Sequence, residues 1–328
     1  MLRLHFTADD LKNVRILPSP DPMWEIVCSM CRLKTDQGRT EFGAWRDATR
    51  DRLRHDERLR LALTPLRGLV PSTGYIPDFL TPDASGELPA ALDAIGAWPR
   101  HVVADQLDRL NAAQSRLRGS VPGPRADAVD LTGVVRALGT YFDTLLRPHL
   151  PRIRALVGAD VSLRSQALLA GGVQGLLESM APYATWRDPV LEVDYPVSRD
   201  VCLRGRGLLL VPSFFCWGRP TAPADPDLPP TLVYPVAKPP WQPDRGDRRC
   251  ASRLLGRTRA AILEAVAGRG RADGCTSTDI ARAVGIAQSS ITYQMGVLRD
   301  GGLVSSRRSG KYVVHAVTPL GLRILDGA

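Results

Sequence analysis

The sequence predicts a mainly α-helical fold with small antiparallel β elements, which places the chain in the α+β class. Apolar residues recur at helical spacing through most of the first 181 residues. Between residues 190 and 236, short stretches rich in β-branched and aromatic residues are bounded by Pro and Gly, which is typical of strands. With 328 residues, of which 44% are hydrophobic, the chain is long enough for two domains with packed cores.

The helices are predicted from capping residues and apolar periodicity. Thr7 caps a first helix with Asp10 as its reciprocal partner, and Asp21 before Pro22 marks the start of a second. A longer amphipathic helix is predicted from about Trp45 to Leu63, with many Arg and Asp residues on its outer side. Further helices are predicted near 88–118, 130–157 and 162–181, with Gly158 separating the last two.

The predicted strands lie near 190–195, 201–203, 208–211 and 232–234. We expect them to form one small antiparallel sheet at the C-terminal end of the helical region, with a tight turn at 205–207 between two of them. Residues 1–218 are therefore predicted to be a mostly helical N-terminal domain that carries this sheet and serves effector binding or dimerisation.

Residues 219–249 are predicted to connect this domain to the tail. Nine of the 27 prolines lie between Pro220 and Pro243. Because proline lacks an amide donor and restricts one backbone angle, this stretch cannot form a continuous helix. An extended, partly stiff connector is expected, and its apolar segment 232–236 is expected to dock on the N-terminal domain.

The net charge of +9 is concentrated at one end of the chain. Residues 245–328 contain 14 basic and 6 acidic residues, whereas the first 244 residues contain 29 basic and 28 acidic residues. A near-neutral body thus carries a strongly basic tail, which favours a polyanion as the partner of the tail.

Membrane and secreted classes are not expected. No run approaches the roughly 18 to 20 apolar residues of a membrane span, and no secretory signal is visible at Met1. Six cysteines in a chain of this length need not form a disulfide framework. Reduced thiols and a cytoplasmic, nucleoid-associated location are the expectation.

The tail, residues 250–328, opens with three predicted helices. The first carries Leu255, Ile262 and Val266 at helical spacing. A capping box at 276–279 then starts a short helix, and Gly285 provides the turn after it. A third helix follows from residue 288 to residue 300, before two consecutive glycines.

A hairpin and a last helix complete the tail. Two apolar strands flank a cationic tip that contains Arg307, Arg308 and Lys311, and the closing helix begins at Pro319. Three helices, a hairpin and a helix, in this order, predict a winged helix-turn-helix.

Three stretches of this tail resemble the arsenic-repressor (ArsR) type family of bacterial regulators: 254–259, 279–286, and 297–304 with the hairpin that follows. The resemblance covers roughly the last quarter of the chain. It implies a dimeric transcription regulator whose recognition helix, 288–300, enters the major groove of DNA. The long N-terminal region resembles the extra domain of some regulators of this type in filamentous actinobacteria, and this likeness implies no activity.

We predict that DNA is contacted by the recognition helix and the hairpin, or wing. At about 100° per residue, Ile291, Met295 and Leu298 fall on the inward side of the helix. The small or hydrogen-bonding residues opposite can reach base edges, whereas the wing cations suit phosphate or minor-groove contact. The predicted DNA-binding residues are Gln288, Ser289, Ser290, Thr292, Tyr293, Gly296, Arg299, Arg307, Arg308, Lys311 and Tyr312.

One departure from the family affects this face. The family usually has Ser or a similar cap before the recognition helix, and here Ala287 occupies the position. If Ser289 or Ser290 caps instead, the start of the helix shifts and the predicted face rotates.

Metal sensing at the family's usual positions is not expected, and we predict no metal site or cofactor. Cys275 stands alone at the start of the helix-turn-helix, and one thiolate cannot form a tetrahedral site. Cys28 and Cys31 form a CxxC pair, for which Cys202 and Cys216 would supply two further ligands. Core packing is the interpretation that we favour for this pair over zinc or redox chemistry.

No catalytic constellation is legible, so an enzyme is not expected. The five histidines are scattered, and 205–207 lacks the third glycine of a dinucleotide loop. Six aromatic residues would line a ligand pocket or, as we favour, pack in the core. They are Tyr75, Phe79, Trp186, Phe214, Phe215 and Trp217.

The sequence therefore predicts a sequence-specific, homodimeric DNA-binding transcriptional regulator. Its expected partners are double-stranded operator DNA and a small-molecule effector of the N-terminal domain. Two alternatives stay open: a transferase-like enzyme that uses the winged domain for dimerisation, and a winged-helix module that binds another protein.

Overall fold

The computed structural model describes residues 1–82, 87–115, 123–125, 127, 129–238, 254–268, 275–309 and 312–325. The chain divides into two compact units. One comprises Met1–Pro148 and Asp160–Trp241, and the other comprises His149–Ala159 and Gln242–Ala328. The fold is mainly α-helical with small β-sheets, and the antiparallel wing at the C-terminal end is present as predicted.

The first helices begin at the polar caps that the sequence predicts. The hydroxyl of Thr7 accepts a hydrogen bond from the amide of Asp10, whose carboxylate accepts from the amide and hydroxyl of Thr7, so the capping box is confirmed. The carboxylate of Asp21 accepts from the amide of Trp24 at 2.9 Å, and Pro22 occupies the first helical position.

The helices in this part of the chain are α1 (Ala8–Lys12), α2 (Pro22–Lys34), α3 (Arg39–His55), α4 (Glu57–Ala62), α5 (Leu88–Gly96), α6 (Arg100–Ser115), α7 (Leu131–Tyr141) and α8 (Leu150–Glu178). A π-helical turn follows α7 at Phe142–Leu146, and short 3-10 turns lie at Thr64–Leu66, Asp78–Leu80 and Arg147–His149.

Helix α8 corrects the prediction of a break at Gly158. It continues through this glycine because Ile153 and Val157, one turn apart, are both fully buried and hold the turn in place. A single glycine inside a helix costs only about 1 kcal/mol, which such packing offsets. The backbone leaves helical geometry instead at Gly171 and Gly172, where Gly172 has a φ of +63°.

The strands of the first unit form two sheets rather than the single antiparallel sheet that was expected. Among the described residues of this unit, the strands are β1 (Leu2–His5), β2 (Arg15–Ile16), β3 (Ala184–Arg187), β4 (Val190–Val193), β5 (Arg199–Cys202), β6 (Leu209–Ser213) and β7 (Thr231–Pro235). One sheet has the order β3-β4-β1-β5, in which β4 is antiparallel to both neighbours and β1 is parallel to β5. The other has the order β2-β6-β7, and all its pairs are parallel.

The parallel pairs depend on segments that lie far apart in the sequence. Strand β1 sits between β4 and β5, so the N-terminal residues enter the sheet at its centre. Strands β6 and β7 are joined by residues 214–230, and a connection of this length can return the chain to the starting edge for parallel pairing. Tight-turn signals such as 205–207 indicate that the chain reverses but not which strands it brings together.

Gly207 brings two backbone segments into close contact. It has a φ of +72°, and a Cβ added here would lie 2.2 Å from the carbonyl oxygen of Asn13. The amide of Gly207 donates to the buried carboxylate of Asp10 at 2.9 Å, which ties the loop between β5 and β6 to α1. The position therefore requires glycine for both its backbone conformation and the space around it.

Gly207→Ala is expected to lower the free energy of unfolding by about 2 kcal/mol more than Gly205→Ala. Both glycines have positive φ, but a Cβ at Gly205 would meet no atom nearer than 4.0 Å, at Asp9. The difference between the two variants therefore isolates the clash with Asn13. Denaturant unfolding followed by tryptophan fluorescence measures it, and equal losses in the two variants would show that the loop moves aside freely.

The second unit contains the winged helix-turn-helix. Its elements are α9 (Arg257–Gly268), β8 (Cys275–Thr276), α10 (Ser277–Val284), α11 (Gln288–Asp300), β9 (Val304–Ser309), β10 (Tyr312–Val317) and α12 (Pro319–Leu325). The sheet has the antiparallel order β8-β10-β9. The core residues are Ile262, Leu263, Val266, Cys275, Ile280, Ile291, Met295, Leu298, Leu303 and Val304.

Part of the predicted connector, residues 239–249, lies outside the described residues. Within the described part, Leu232 and Val233 are fully buried in strand β7, which pairs with β6. None of the helices in the described parts of the chain has the length and apolar character that crossing a membrane requires.

Candidate nucleic-acid interface

The helix-turn-helix is set by caps at both ends of α10. The hydroxyl of Thr276 donates to the carboxylate of Asp279 at 2.7 Å and accepts from the amide of Asp279, so the predicted capping box is confirmed. At the other end, Gly285 adopts a φ of +75° and its amide donates to the carbonyl of Ala281 at 2.8 Å. These contacts end α10 sharply and direct the chain into α11, which begins three residues after Gly285.

Helix α11 begins at Gln288, and Ala287 is its N-cap without a side-chain hydrogen bond. The alternative in which Ser289 or Ser290 caps the helix is therefore wrong, and the predicted face does not rotate. In place of a cap, the side-chain amide of Gln288 donates to the hydroxyl of Thr278 on α10 at 3.2 Å. This contact links the first turn of the recognition helix to the helix before it.

One side of α11 packs into the core of the second unit. Ile291, Met295 and Leu298 are buried, as the periodicity predicts. Gln294 lies at the edge of this side, where its side-chain oxygen accepts from the Nε of Arg259 on α9 at 2.8 Å. The recognition helix is therefore held at a defined rotation about its axis.

The opposite side of α11 is exposed and carries hydroxyl groups. Tyr293 is the most prominent of these residues, with 68% of its surface exposed. Gly296 is partly exposed, and a Cβ added there would meet no atom within 4 Å, so the space beside its backbone opens outward. Gln288, Ser289, Ser290 and Thr292 are all exposed as well.

Two charged residues close the C-terminal end of this surface. The side chain of Arg299 is 58% exposed and lies one helical repeat after Thr292. Its Nε is 3.6 Å from the carboxylate of Asp300, and both side chains are largely solvated. The exposed side of α11 is thus mostly uncharged, with a guanidinium at its end.

The wing presents cations beside the recognition helix. Strands β9 and β10 form an antiparallel hairpin in which Arg307 pairs with Val314 and Arg308 with Val313. Both arginines are exposed, and Tyr312 is 55% exposed. The eleventh predicted residue, Lys311, lies outside the described residues.

His315 is a positioning residue that the sequence does not reveal. It is only 6% exposed and bridges β10 to two neighbouring elements. Its Nε2 is 3.0 Å from the Oγ of Ser277 on α10, and its Nδ1 is 2.8 Å from the Oγ of Ser306 on β9. Burial, with a smaller effect from Arg299, lowers the pKa of His315, so the ring is neutral at pH 7.

The other candidate groups lie in the first unit. Cys28 and Cys31 are buried on α2, where the neighbouring buried Cys216 and burial itself raise the pKa of the Cys28 thiol, whereas Cys202 is exposed on β5. The thiol of Cys31 donates to the carbonyl of Pro71 at 3.3 Å. In the described parts of the chain, no group of three or more His, Cys, Asp or Glu residues is placed to hold a metal ion.

The six aromatic residues considered as pocket-lining fall into separate places. Phe214 and Phe215 are fully buried and lie with Trp217 around the ring of Phe42. The ring of Trp186 instead packs edge-on against that of Phe6. Phe79 lies elsewhere, and its backbone amide donates a hydrogen bond to the side-chain oxygen of Gln106. Tyr75 is partly buried.

Comparison with known proteins identifies one segment of the second unit. Residues 254–307 match a family model described as a helix-turn-helix domain. No curated protein matches the chain. The matched span contains α9, α10, α11 and the first part of the wing, and it includes eight of the eleven predicted DNA-binding residues. Residues 254–307 are therefore a helix-turn-helix domain, a fold typical of proteins that bind DNA.

Proposed function

We propose that the chain is a sequence-specific DNA-binding transcriptional regulator of the ArsR type, and that it binds its operator as a homodimer. The observation that carries this proposal is the exposed, hydroxyl-rich side of α11 beside a wing with exposed arginines, within a matched helix-turn-helix domain. Uncharged hydrogen-bonding groups discriminate base edges, whereas cations bind the phosphate backbone.

The two parts of this surface have different roles in the proposed complex. Thr292 and Tyr293 lie in the major groove with Ser289, and the open side of Gly296 lets the backbone approach the bases. Arg307 and Arg308 bind phosphates or the minor groove beside the helix. Because His315 ties the wing to α10, these cations keep a defined position relative to α11.

We propose that the first unit provides the dimer contact and binds the effector. A homodimer places two recognition helices on half-sites one helical turn apart, about 10 base pairs from centre to centre. We test this by capturing bound DNA genome-wide and footprinting the recovered sites with the purified chain. Two protected half-sites support the dimer, and a single short footprint bound by one chain would contradict it.

Replacing Thr292 with Ala and Tyr293 with Phe is expected to reduce sequence discrimination about tenfold. Both substitutions remove a hydroxyl from the exposed side of α11 and leave its buried side intact. The affinity for operator DNA and for a scrambled duplex is measured at one salt concentration. We expect the scrambled duplex to be bound as before, and an equal loss on both duplexes would show that these residues do not discriminate bases.

We also propose that the chain acts in the cytoplasm, on the nucleoid, as a regulator rather than as an enzyme. The main rival is a transferase that uses the winged domain for dimerisation. Calorimetry with S-adenosylmethionine separates the two, because a transferase of that kind binds this methyl donor. A saturable heat of binding with methyl transfer to a substrate would overturn our proposal, whereas a specific footprint without such binding supports it.

A further inference from the structure

Lys238, three residues after β7, lies inside a box of aromatic rings. Its Nζ is 5.2 Å from the ring centroid of Phe42, 5.5 Å from that of Phe214 and 5.6 Å from that of Trp217. The ring of Phe42 meets that of Phe214 at 87° and that of Trp217 at 84°. Three rings at such angles enclose one point, and the ammonium group occupies it.

The box has polar groups as well as rings. The Nζ of Lys238 donates to the carbonyl oxygens of Phe214 at 2.8 Å and Cys216 at 3.2 Å. Behind this loop, the fully buried carboxylate of Glu25 accepts from the amides of Phe214 and Phe215 at 2.7 and 3.0 Å. Burial lowers the pKa of Lys238 to about 8, and the charge of Glu25 acts against this shift. The box thus combines ring faces, two carbonyls and a nearby carboxylate.

The local sequence holds two walls of the box close together. Gly38 precedes α3 with a φ of +59°, and a Cβ there would lie 2.7 Å from the Cδ2 of Phe42 and 3.2 Å from the Cδ2 of Trp217. A glycine at this position lets both rings stand next to the backbone. The rings come from α3 and from the loop after β6, so the box forms only when the first unit is folded.

The position of Lys238 in the chain connects the box to the helix-turn-helix. Residues 239–253 follow it directly and lead to the matched domain, which begins at residue 254. Ala237 is exposed and Lys238 is partly buried, so the lysine stem enters the box from the surface. A ligand from solvent can therefore approach along the same route.

We propose that the box is a binding site for an organic primary ammonium ion, and that Lys238 is its tethered occupant. When a free ammonium ligand displaces Lys238, this residue of the connector is no longer held in the box. We propose that its release changes DNA binding and is the effector step of the regulator. This inference rests on the proposed function for its second part only. The ammonium site itself does not depend on it.

The arrangement favours a primary ammonium over a quaternary one. Two carbonyl oxygens already accept N–H groups from Lys238, and a quaternary ion would leave both without a donor inside a partly buried site. Aromatic faces alone would accept either class. The same reasoning excludes neutral alcohols of equal size, which lack the charge that the rings and Glu25 stabilise.

Chemical rescue of the full-length chain tests the site. Lys238→Ala removes the equivalent of n-propylammonium from the box, so this ion is the probe, with 1-propanol and tetramethylammonium as comparisons. We expect n-propylammonium to bind the variant at least about tenfold more tightly than the wild type, because the tethered lysine no longer competes. Calorimetry and tryptophan fluorescence, to which Trp217 contributes, measure the binding.

Further variants at residue 238 control for the space that truncation of the lysine side chain leaves in the box. Lys238→Met keeps the box filled without charge and is expected to show no gain in affinity. Lys238→Ser is a second opened variant, used if thermal melting shows that Lys238→Ala is unfolded. Equal binding of n-propylammonium by the opened, filled and wild-type chains would overturn the site, as would equal binding of 1-propanol.

A DNA-binding experiment separates the ammonium site from its proposed effect on DNA binding. We expect saturating n-propylammonium to change the operator affinity of the wild type at least about threefold, towards the value of Lys238→Ala, and 1-propanol to leave it unchanged. Binding of the ion with no change in operator affinity would overturn the effector step. A wild-type chain that captures no specific DNA would instead contradict the proposed function, while the titration still reports on the box.

Discussion

Neutralising Arg307 and Arg308 together, with glutamine at both positions, is expected to weaken operator binding about 100-fold, or about 2.8 kcal/mol. Both side chains are exposed on β9 of the wing. Each phosphate contact releases condensed counterions, so losing two cations is expected to make the plot of log affinity against log salt shallower by about 2. Mobility shifts over a salt series measure both effects.

The control variant carries the same change of net charge elsewhere. Arg54 and Arg58 are exposed on α3 and α4 of the first unit, and Arg54→Gln with Arg58→Gln removes two positive charges far from the wing in sequence. We expect this variant to bind operator nearly as the wild type does. If both double variants lose affinity equally, net charge rather than the wing drives binding, and the proposed contact surface is wrong.

Raising the pH from about 4.5 to about 7 is expected to destabilise the first unit through Glu25. Burial raises the pKa of Glu25 to about 7, although amides of Phe214 and Phe215 stabilise its charged form. In the unfolded chain the carboxyl ionises near pH 4.5, whereas the folded chain retains the proton up to about pH 7. The stabilisation is therefore complete below pH 4.5 and is lost as the pH rises through 7, by about 3 kcal/mol.

The difference between Glu25→Gln and the wild type isolates this effect. Glutamine at this position does not titrate, so the variant should gain about 3 kcal/mol relative to the wild type between pH 4.5 and pH 8. Urea unfolding of both chains over this range gives the difference, in which titrating groups that do not interact with Glu25 cancel. Glu57→Gln, at an exposed position on α4, controls for the loss of one glutamate. A difference that does not vary with pH would show that Glu25 is ionised throughout.

Local signals predicted the second unit well. The caps at Thr276 and Gly285, and the apolar spacing of Ile291, Met295 and Leu298, each act within a few residues of the chain. Such signals determine where a helix starts, stops and buries its surface, whatever the rest of the fold does. The exposed side of α11 can be predicted from the same pattern, because the buried residues determine how the helix is rotated about its axis.

The first unit was predicted less well because its decisive contacts join distant segments. Strand β1 pairs with β4 and β5 across most of the unit, and no short-range pattern specifies that partner. In the same way, the two serine contacts of His315 come from other elements than its own strand, and no local pattern specifies them. No local pattern around Glu25 predicts its burial, and the amides that its carboxylate accepts from belong to Phe214 and Phe215, far away in the sequence.

By itself, the sequence determined the class of the fold, the caps of its helices and the hydroxyl-rich and cationic sides of the helix-turn-helix. Only the tertiary structure decided that the strands form two sheets with parallel pairs, that Glu25 lies behind the loop of Phe214, and that Lys238 is enclosed by rings from α3 and that loop. The reason is physical. Capping and periodicity are free-energy differences between neighbouring residues, whereas strand partners and buried charges depend on which distant surfaces exclude water together.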